Sequence, residues 1–287
     1  MKPTWITRMQ KLRHISFLIA FLSLFLSAHN VSASEKSAAH DDFILTPIPK
    51  AGTHLIMRCI GQMTGKGVVG LMGGTKEAFV KSLNHAKQKN AILICHHYSG
   101  NFASTLYKMD YKNIFMCRDP RDACVSLVVY LDTMEGKQRD FFAVPDEWDD
   151  LSFDEKLYAV IVGKNCKSYV RSWYERLSPW SKYPKTLIVR FEDLVGANGG
   201  GDDTVQQQTL VDIAAFTNMD IGFERIQEVA KNLYKTTAPP RVYNGMTYYP
   251  GQIGNWKIFF NKKNKQAFKR SFNHLLVEFG YEQNMNW

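Results

Sequence analysis

Phe43-Ile44-Leu45-Thr46-Pro47-Ile48-Pro49-Lys50-Ala51-Gly52-Thr53-His54 begins as an apolar run, turns at a glycine beside a single lysine, and leads into an apolar-periodic segment from Leu55. The order is strand, tight turn, helix. The first turn of a helix leaves backbone N–H groups without intrahelical partners, and the aligned peptide dipoles leave positive charge there. The junction therefore suits a phosphate or another anion. Lys50 adds formal charge, Gly52 lets the backbone approach a ligand closely, and Thr53 offers a hydroxyl. An ordinary strand-to-helix turn with a solvated lysine is the plain alternative for this stretch taken alone.

A second junction of the same kind lies further on. Asn113-Ile114-Phe115-Met116-Cys117 reads as a buried strand and runs into Arg118-Asp119-Pro120-Arg121-Asp122, then into the helix-like Ala123-Cys124-Val125-Ser126-Leu127-Val128-Val129-Tyr130. Pro120 suits the first turn of that helix and Asp119 its cap. Arg118 at the strand end and Ser126 two turns into the helix can converge on one ligand, at the edge where open parallel sheets bind theirs. The competing reading pairs Arg118 with Asp122 or Glu192 and leaves Ser126 to packing. Strand candidates at 42–48, 91–96, 113–117 and 185–190, separated by helical stretches, predict an α/β single domain with a central parallel sheet flanked by helices.

Together these residues resemble the sulfotransferases that use 3′-phosphoadenosine 5′-phosphosulfate (PAPS), cytosolic and Golgi alike, which have a P-loop nucleotide-hydrolase-like fold. The family's Pro-Lys-Ser-Gly-Thr-Thr-Trp-like loop is matched from Pro49 to Leu55. Its Arg-Asp/Asn-Pro-Arg/Lys-Asp segment, with a later serine, is matched by Arg118 and Ser126. Phe191-Glu192-Asp193-Leu194 matches its Tyr-Glu-Asp-Leu-like segment, and Gly251-Gln252-Ile253-Gly254-Asn255-Trp256-Lys257 its Gly-x-x-Gly-Asp-Trp-Lys segment. The likeness covers nearly everything from Phe43 to Trp287. It implies a donor site formed by Lys50, Ala51, Gly52, Thr53, His54, Arg118, Ser126, Phe191, Gly251 and Trp256.

Several positions depart from the family pattern. Ala51 and His54 stand where the family has hydroxyls, so the backbone N–H groups hold more of the 5′-phosphate. Leu55 replaces a tryptophan at the adenine, and Phe191 replaces a tyrosine, keeping apolar stacking. Tyr249-Pro250-Gly251 replaces Arg-Lys-Gly, which removes two cations from the 3′-phosphate site. Arg118 then takes more of that charge, with Arg241 or Lys257 as helpers.

Ala91-Ile92-Leu93-Ile94-Cys95-His96-His97 is a short apolar strand ending in two histidines. In the cytosolic branch of the family this strand ends in Lys-Thr-His, and by that register His97 is the general base. Consecutive strand residues point to opposite faces, so His96 and His97 do not share one metal ion, and the scheme needs no metal. Sulfuryl transfer is an in-line displacement at sulfur. Lys50 neutralises the leaving oxygen, His97 takes the proton of a hydroxyl (or amine) acceptor, and Thr53 with the loop N–H groups holds the 5′-phosphate.

The chain of 287 residues is 45% hydrophobic and 13% aromatic, enough for one large core. Its formal charge is +9, but Lys2, Arg8, Lys11 and Arg13 lie in residues 1–33, which hold no acid; the remainder has 32 cations to 27 acids. A modest positive balance suits a doubly phosphorylated nucleotide. No Lys/Arg cluster with interleaved aromatics points to nucleic acid. Basic residues precede the apolar run Ile15 to Ala28, and Val31-Ser32-Ala33 supplies small residues for a signal peptidase. Residues 1–33 are thus read as a signal peptide, 34–41 as a linker and 42–287 as the catalytic domain.

Export through the secretory pathway follows, to a secreted, periplasmic or lumenal location. An uncleaved type II anchor is the alternative, and membrane association applies only in that case. Five cysteines, Cys59, Cys95, Cys117, Cys124 and Cys166, predict no disulfide framework. Phe153 to Leu177 reads as helical, Ala197 to Asp203 as a flexible connection, and Val242 to Gly251 as a loop folding over the nucleotide.

Two other functions compete. A P-loop kinase needs its lysine late in the phosphate loop, a spacing that Gly65-Lys66-Gly67 lacks. A non-catalytic exported nucleotide- or ligand-binding protein on a degenerate scaffold is favoured by Ala51, His54 and Tyr249-Pro250, and opposed by Lys50, Thr53, His97, Arg118 and Ser126. The acceptor is a small molecule, a glycan or a peptide, and neither it nor the oligomeric state is encoded in a readable motif.

Overall fold

The computed structural model describes residues 41–70, 75–95, 102–136, 139, 144–163, 170–234 and 239–287. Its centre is a five-stranded parallel sheet in the order β2-β3-β1-β4-β5. The strands are β1 (Phe43–Pro47), β2 (Val68–Gly70), β3 (Ile92–Ile94), β4 (Lys112–Cys117) and β5 (Thr186–Arg190). Every residue of β1 is buried, as expected of a strand covered on both faces. Phe43 and Leu45 point into one core and Ile44 into the other, the period-2 alternation of a strand.

One face is covered by α1 (Thr53–Thr64) and by two later helices, α8 (Asp203–Phe216) and α9 (Phe223–Leu233). The opposite face takes α2 (Lys76–Gln88), α4 (Pro120–Leu131), α5 (Phe153–Val162), α6 (Val170–Leu177) and α11 (Lys262–Glu278). The short α3 (Ala103–Lys108) precedes β4, and α7 (Phe191–Leu194) follows β5 directly. Next come α8 (Asp203–Phe216), α9 (Phe223–Leu233), the antiparallel hairpin of β6 (Arg241–Tyr243) and β7 (Met246–Tyr248), α10 (Trp256–Phe259) and α11 (Lys262–Glu278). Among the described residues, no helix is long and apolar enough to cross a membrane.

Polar groups inside the sheet are paired. Thr46 donates to the Asn113 side-chain oxygen at 2.7 Å, Asn113 donates to the Thr186 hydroxyl at 3.1 Å, and Thr186 donates to the Trp180 carbonyl at 3.0 Å. This chain crosses β1, β4 and β5 and removes the cost of burying unsatisfied amides and hydroxyls. Cys59, Cys95, Cys117 and Cys124 are buried free thiols; Cys166 lies outside the described residues.

Several expectations change here. Val68–Gly70 is a strand that the sequence reading omits. The loop expected at Val242 to Gly251 starts as the β6–β7 hairpin, closed by Asn244 and Gly245, both with positive φ (50° and 74°), the twist that two-residue hairpin turns require. The predicted helix from Phe153 is closed at Gly163, left-handed at φ 71°, and Val170–Leu177 is helical; residues 164–169 lie outside the described residues. Ala197 to Asp203, read as a flexible connection, is mostly exposed but takes defined structure. Ala197–Gly199 forms a 3₁₀ turn with Gly199 buried, and Asp202 caps α8 by accepting the Thr204 and Val205 amides.

β1 is the switch point of this sheet, with β3 on one side and β4 on the other. Register sets Pro47 beside Met116, and Cys117 beside Arg190. The segments that leave the carboxyl ends of β1, β4 and β5 therefore start side by side, where open α/β sheets hold their ligands.

Candidate active site

At the end of β1, Lys50 (φ 65°) and Gly52 (φ 103°) are both left-handed and flank Ala51, which is buried and donates its amide to the Ile48 carbonyl at 3.0 Å. A β-carbon on Gly52 would lie 2.6 Å from Phe191 Cδ2 and 2.8 Å from Met116 Cε, so both backbone and space require glycine. Gly52 is also the N-cap of α1 and provides no side-chain cap. The first-turn amides, with Thr53 half-buried among them, thus face the sheet edge without a capping oxygen. Loss of surrounding water, then the charges of Lys50 and Arg58, push the His54 imidazole below its ordinary value.

The Lys50 ammonium lies over the Tyr130 ring, 3.8 Å from its centroid. Burial, and next the charge of Arg118, lower it to about 7. Tyr130 belongs to α4, the helix that leaves β4. That helix starts as the sequence predicts, with Pro120 in its first turn and the Asp119 carboxylate accepting the Arg121 amide at 2.9 Å.

Arg118, 3% exposed, is held on several sides. Its Nη2 donates to the Gln252 carbonyl at 2.8 Å and lies 3.8 Å from Asp122 Oδ2, and its guanidinium is 4.3 Å from the Phe191 ring centroid. Its buried Nε has no hydrogen-bond partner among the described residues. Asp122, Ser126 and Tyr130 are spaced four residues apart and share one face of α4. Ser126, half-buried, sits between the helix position that pairs Arg118 and the one that supports Lys50.

The remaining walls come from β5 and the C-terminal segment. Phe191 is buried between Gly52 and Arg118 and forms a floor beneath both junctions. Glu192 Oε1 accepts the Asp119 amide at 2.9 Å and Oε2 accepts the Tyr281 hydroxyl at 3.1 Å. Burial pushes the Glu192 carboxyl up to about 7, against the pull of the Asp119 amide and Arg118. Asp122 accepts the Gly254 amide at 2.7 Å and the Trp256 amide at 2.8 Å, which staples the 249–257 loop to α4. Gly251 is left-handed (φ 73°), and a β-carbon there would lie 3.2 Å from the Tyr234 hydroxyl. The Trp256 ring lies against the Arg121 guanidinium at 3.9 Å, with Trp287 at 4.6 Å from the same group.

Lys50, Ala51, Gly52, Thr53, His54, Arg118, Ser126, Phe191 and Gly251 are thus brought to one sheet edge, and Trp256 reaches it by its amide while its ring supports Arg121. His97 and His96 lie outside the described residues. Sequence reasoning misses Tyr130 and Tyr174, and reads Glu192 as part of a motif or as a partner of Arg118 rather than as the acceptor of the Asp119 amide; the i, i+4 spacing of Tyr130 from Ser126 is the signal for the first. The uncapped α1 terminus, Lys50 and the unpartnered Arg118 Nε form donor groups at two points of the edge, a set that fits an anion with two charged ends.

No curated protein matches this sequence. Its fold is similar to that of mouse sulfotransferase SULT7A1 complexed with PAP, at 19% identity and a TM-score of 0.59 over 86% of this chain and 89% of that one. It is also similar to retinol dehydratase in complex with androsterone and inactive cofactor PAP, at 12% identity and a TM-score of 0.51 over 81% and 80% of the two chains. A retinol complex of retinol dehydratase with PAP gives 12% and 0.51 over 82% and 81%. The sequence matches the sulfotransferase domain over residues 21–280, so the chain belongs to the sulfotransferase family.

Proposed function

We propose that this sulfotransferase moves a sulfuryl group from PAPS to a hydroxyl or amine acceptor by in-line displacement. One observation supports this above others: α4 presents partners for both cations, Tyr130 to Lys50 and Asp122 to Arg118, with Ser126 between them. Two positive groups held one helix face apart match a nucleotide with phosphate at both ends. Lys50, Thr53 and the first-turn amides of α1 take the 5′ end, and Arg118 takes the 3′-phosphate. Where the family has Arg-Lys before Gly251, this chain has Tyr249 and Pro250, so Arg118 bears most of that charge.

In the transfer, the acceptor oxygen or nitrogen forms a bond to sulfur as the bond from sulfur to the bridging oxygen breaks. The electron pair leaves with 3′-phosphoadenosine 5′-phosphate (PAP), and Lys50 offsets the growing charge. The acceptor proton goes to His97, a step that typically contributes about 10²–10⁴ in rate. Because the donors are already aimed where charge appears, little reorganisation is needed during reaction. Small hydroxylated molecules are the first acceptor class to screen, in line with the retinol and androsterone complexes of retinol dehydratase. Glycans and peptide tyrosines come next. Residues 1–33 direct the catalytic domain, from residue 42, into the secretory pathway, as a cleaved leader or a type II anchor.

Calorimetric titration with PAP and with ATP tests the donor class. Strong preference for PAP is expected, and no heat with PAP overturns the reading. An acceptor screen with radiolabelled PAPS then separates enzyme from binder: PAP binding with no transfer to any acceptor identifies a non-catalytic scaffold.

A further inference from the structure

Arg118 has little freedom because of a contact that lies one step behind it. The peptide unit joining Arg118 to Asp119 is held at both ends: the Tyr174 hydroxyl of α6 donates to the Arg118 carbonyl, and Glu192, at the start of α7, accepts the Asp119 amide at 2.9 Å. Tyr174 also accepts the Arg118 amide at 3.4 Å, and Glu192 is braced from behind by the Tyr281 hydroxyl at 3.1 Å. Two helices from distant parts of the chain therefore grip one peptide plane, at the point where β4 ends and α4 begins.

The rotation of that plane decides where the Arg118 side chain leaves the backbone. A guanidinium at the end of a long side chain amplifies any such rotation. Here it is set over the Phe191 ring, with Nη2 on the Gln252 carbonyl and a buried Nε left without a protein partner. An unpartnered buried donor is expensive unless a ligand oxygen completes it, and misplacement by about 1 Å can cost 10²-fold in a positioned site.

We infer that Glu192 and Tyr174 are positioning residues, which aim Arg118 at the 3′-phosphate of the donor nucleotide by clamping the Arg118–Asp119 peptide unit. Neither residue touches the nucleotide. This rests on the PAPS reading above and deepens it, because it says how one arginine recognises the 3′-phosphate where Tyr249 and Pro250 occupy the positions of two cations.

The test compares PAP with adenosine 5′-phosphate, which lacks only the 3′-phosphate, by calorimetry on the full chain. The wild-type protein is expected to prefer PAP. Glu192→Ala and Tyr174→Phe should each reduce that preference about tenfold, leaving affinity for adenosine 5′-phosphate and the acceptor KM unchanged. Glu192→Gln should recover most of the preference, because its amide oxygen can still accept the Asp119 N–H. If both single variants keep the full preference, or if Glu192→Gln loses as much as Glu192→Ala, the clamp does not aim Arg118. Equal loss for both nucleotides, in step with a fall in Tm, makes the two residues merely structural and likewise overturns the inference. Tyr174→Phe is nearly isosteric and keeps the test open should Glu192→Ala fail to fold. Absence of PAP binding by the wild type removes the underlying donor reading, a result distinct from wild-type preference that the variants leave untouched.

Discussion

The Lys50 ammonium rests 3.8 Å from the centre of the Tyr130 ring. An aromatic face attracts a cation without supplying the hydration that burial removes. With Arg118 also close, Lys50 holds its proton only up to about pH 7. At neutral pH Lys50 is thus poised between its charged and neutral forms.

Lys50→Met should abolish turnover while raising stability at neutral pH. The folded-state value of about 7 lies below the ordinary lysine value of 10.5, so between them the unfolded chain binds more protons and wild-type stability rises with pH. Below pH 7 the full cost of the buried charge is present. Thermal melts at pH 6.5 and pH 10 check this: the variant should melt above the wild type at the lower pH, with the gap closing at the higher one.

Affinity for PAP should weaken as pH rises through about 7, because the free enzyme loses the Lys50 charge there. Lys50→Arg should flatten that limb, since a guanidinium keeps its proton throughout. Calorimetric titrations between pH 6 and 9 decide it, and parallel slopes for the two proteins would assign the limb to another group.

Gly52→Ala meets two obstacles: a φ of 103° and a β-carbon 2.6 Å from the Phe191 ring. A loss of about 1–3 kcal/mol in urea unfolding is expected, with PAP binding weakened at least tenfold. Adding Phe191→Leu should restore part of the stability by opening space.

Arg121 is 3% exposed and bonds Asp119 at 2.7 Å and Glu282 at 2.6 Å. Removing one member of a buried ion pair strands its partners, so Arg121→Met should cost about 3–5 kcal/mol. Urea unfolding measures it, and a loss under about 1 kcal/mol would show that water reaches the carboxylates.

His97→Ala should cut turnover about 10²–10⁴-fold and leave PAP affinity as it is. Single-turnover kinetics with a responsive acceptor separate the two effects. Near-normal turnover would remove His97 from the proton step.

Four of the five sheet strands and both strand-to-helix junctions are legible because buried parallel strands read as near-continuous apolar runs, and because Gly52, Asp119 and Pro120 mark helix starts. Val68–Gly70 escaped notice as three residues at the sheet edge, too few for a period. Around Gly199 the glycines looked like slack chain, yet a β-carbon on Gly199 would lie 2.1 Å from Val195, and one on Gly201 2.8 Å from the Glu192 carbonyl. They are glycine for close packing, a cause that composition does not reveal. Asn244-Gly245, a dipeptide that favours positive φ at both positions, is the hairpin signal within the stretch read as a loop. In the site, Lys50 and Arg118 both lie against α4, at Tyr130 and Asp122, with Ser126 at the helix position between them. The grip of Glu192 and Tyr174 on the start of α4 spans 73 and 56 residues of sequence and needed the fold to be seen.

Asp122 accepts amides from residues 132 and 134 positions further along the chain. During synthesis, the sheet and the strand-to-helix junctions at Lys50 and Arg118 emerge from the ribosome well before Gly254 and Trp256 do. A nascent chain halted ahead of Gly254 therefore has its strands but leaves Asp122 lacking both amides, so the staple that ties the 249–257 loop to α4 closes only after the sheet can form.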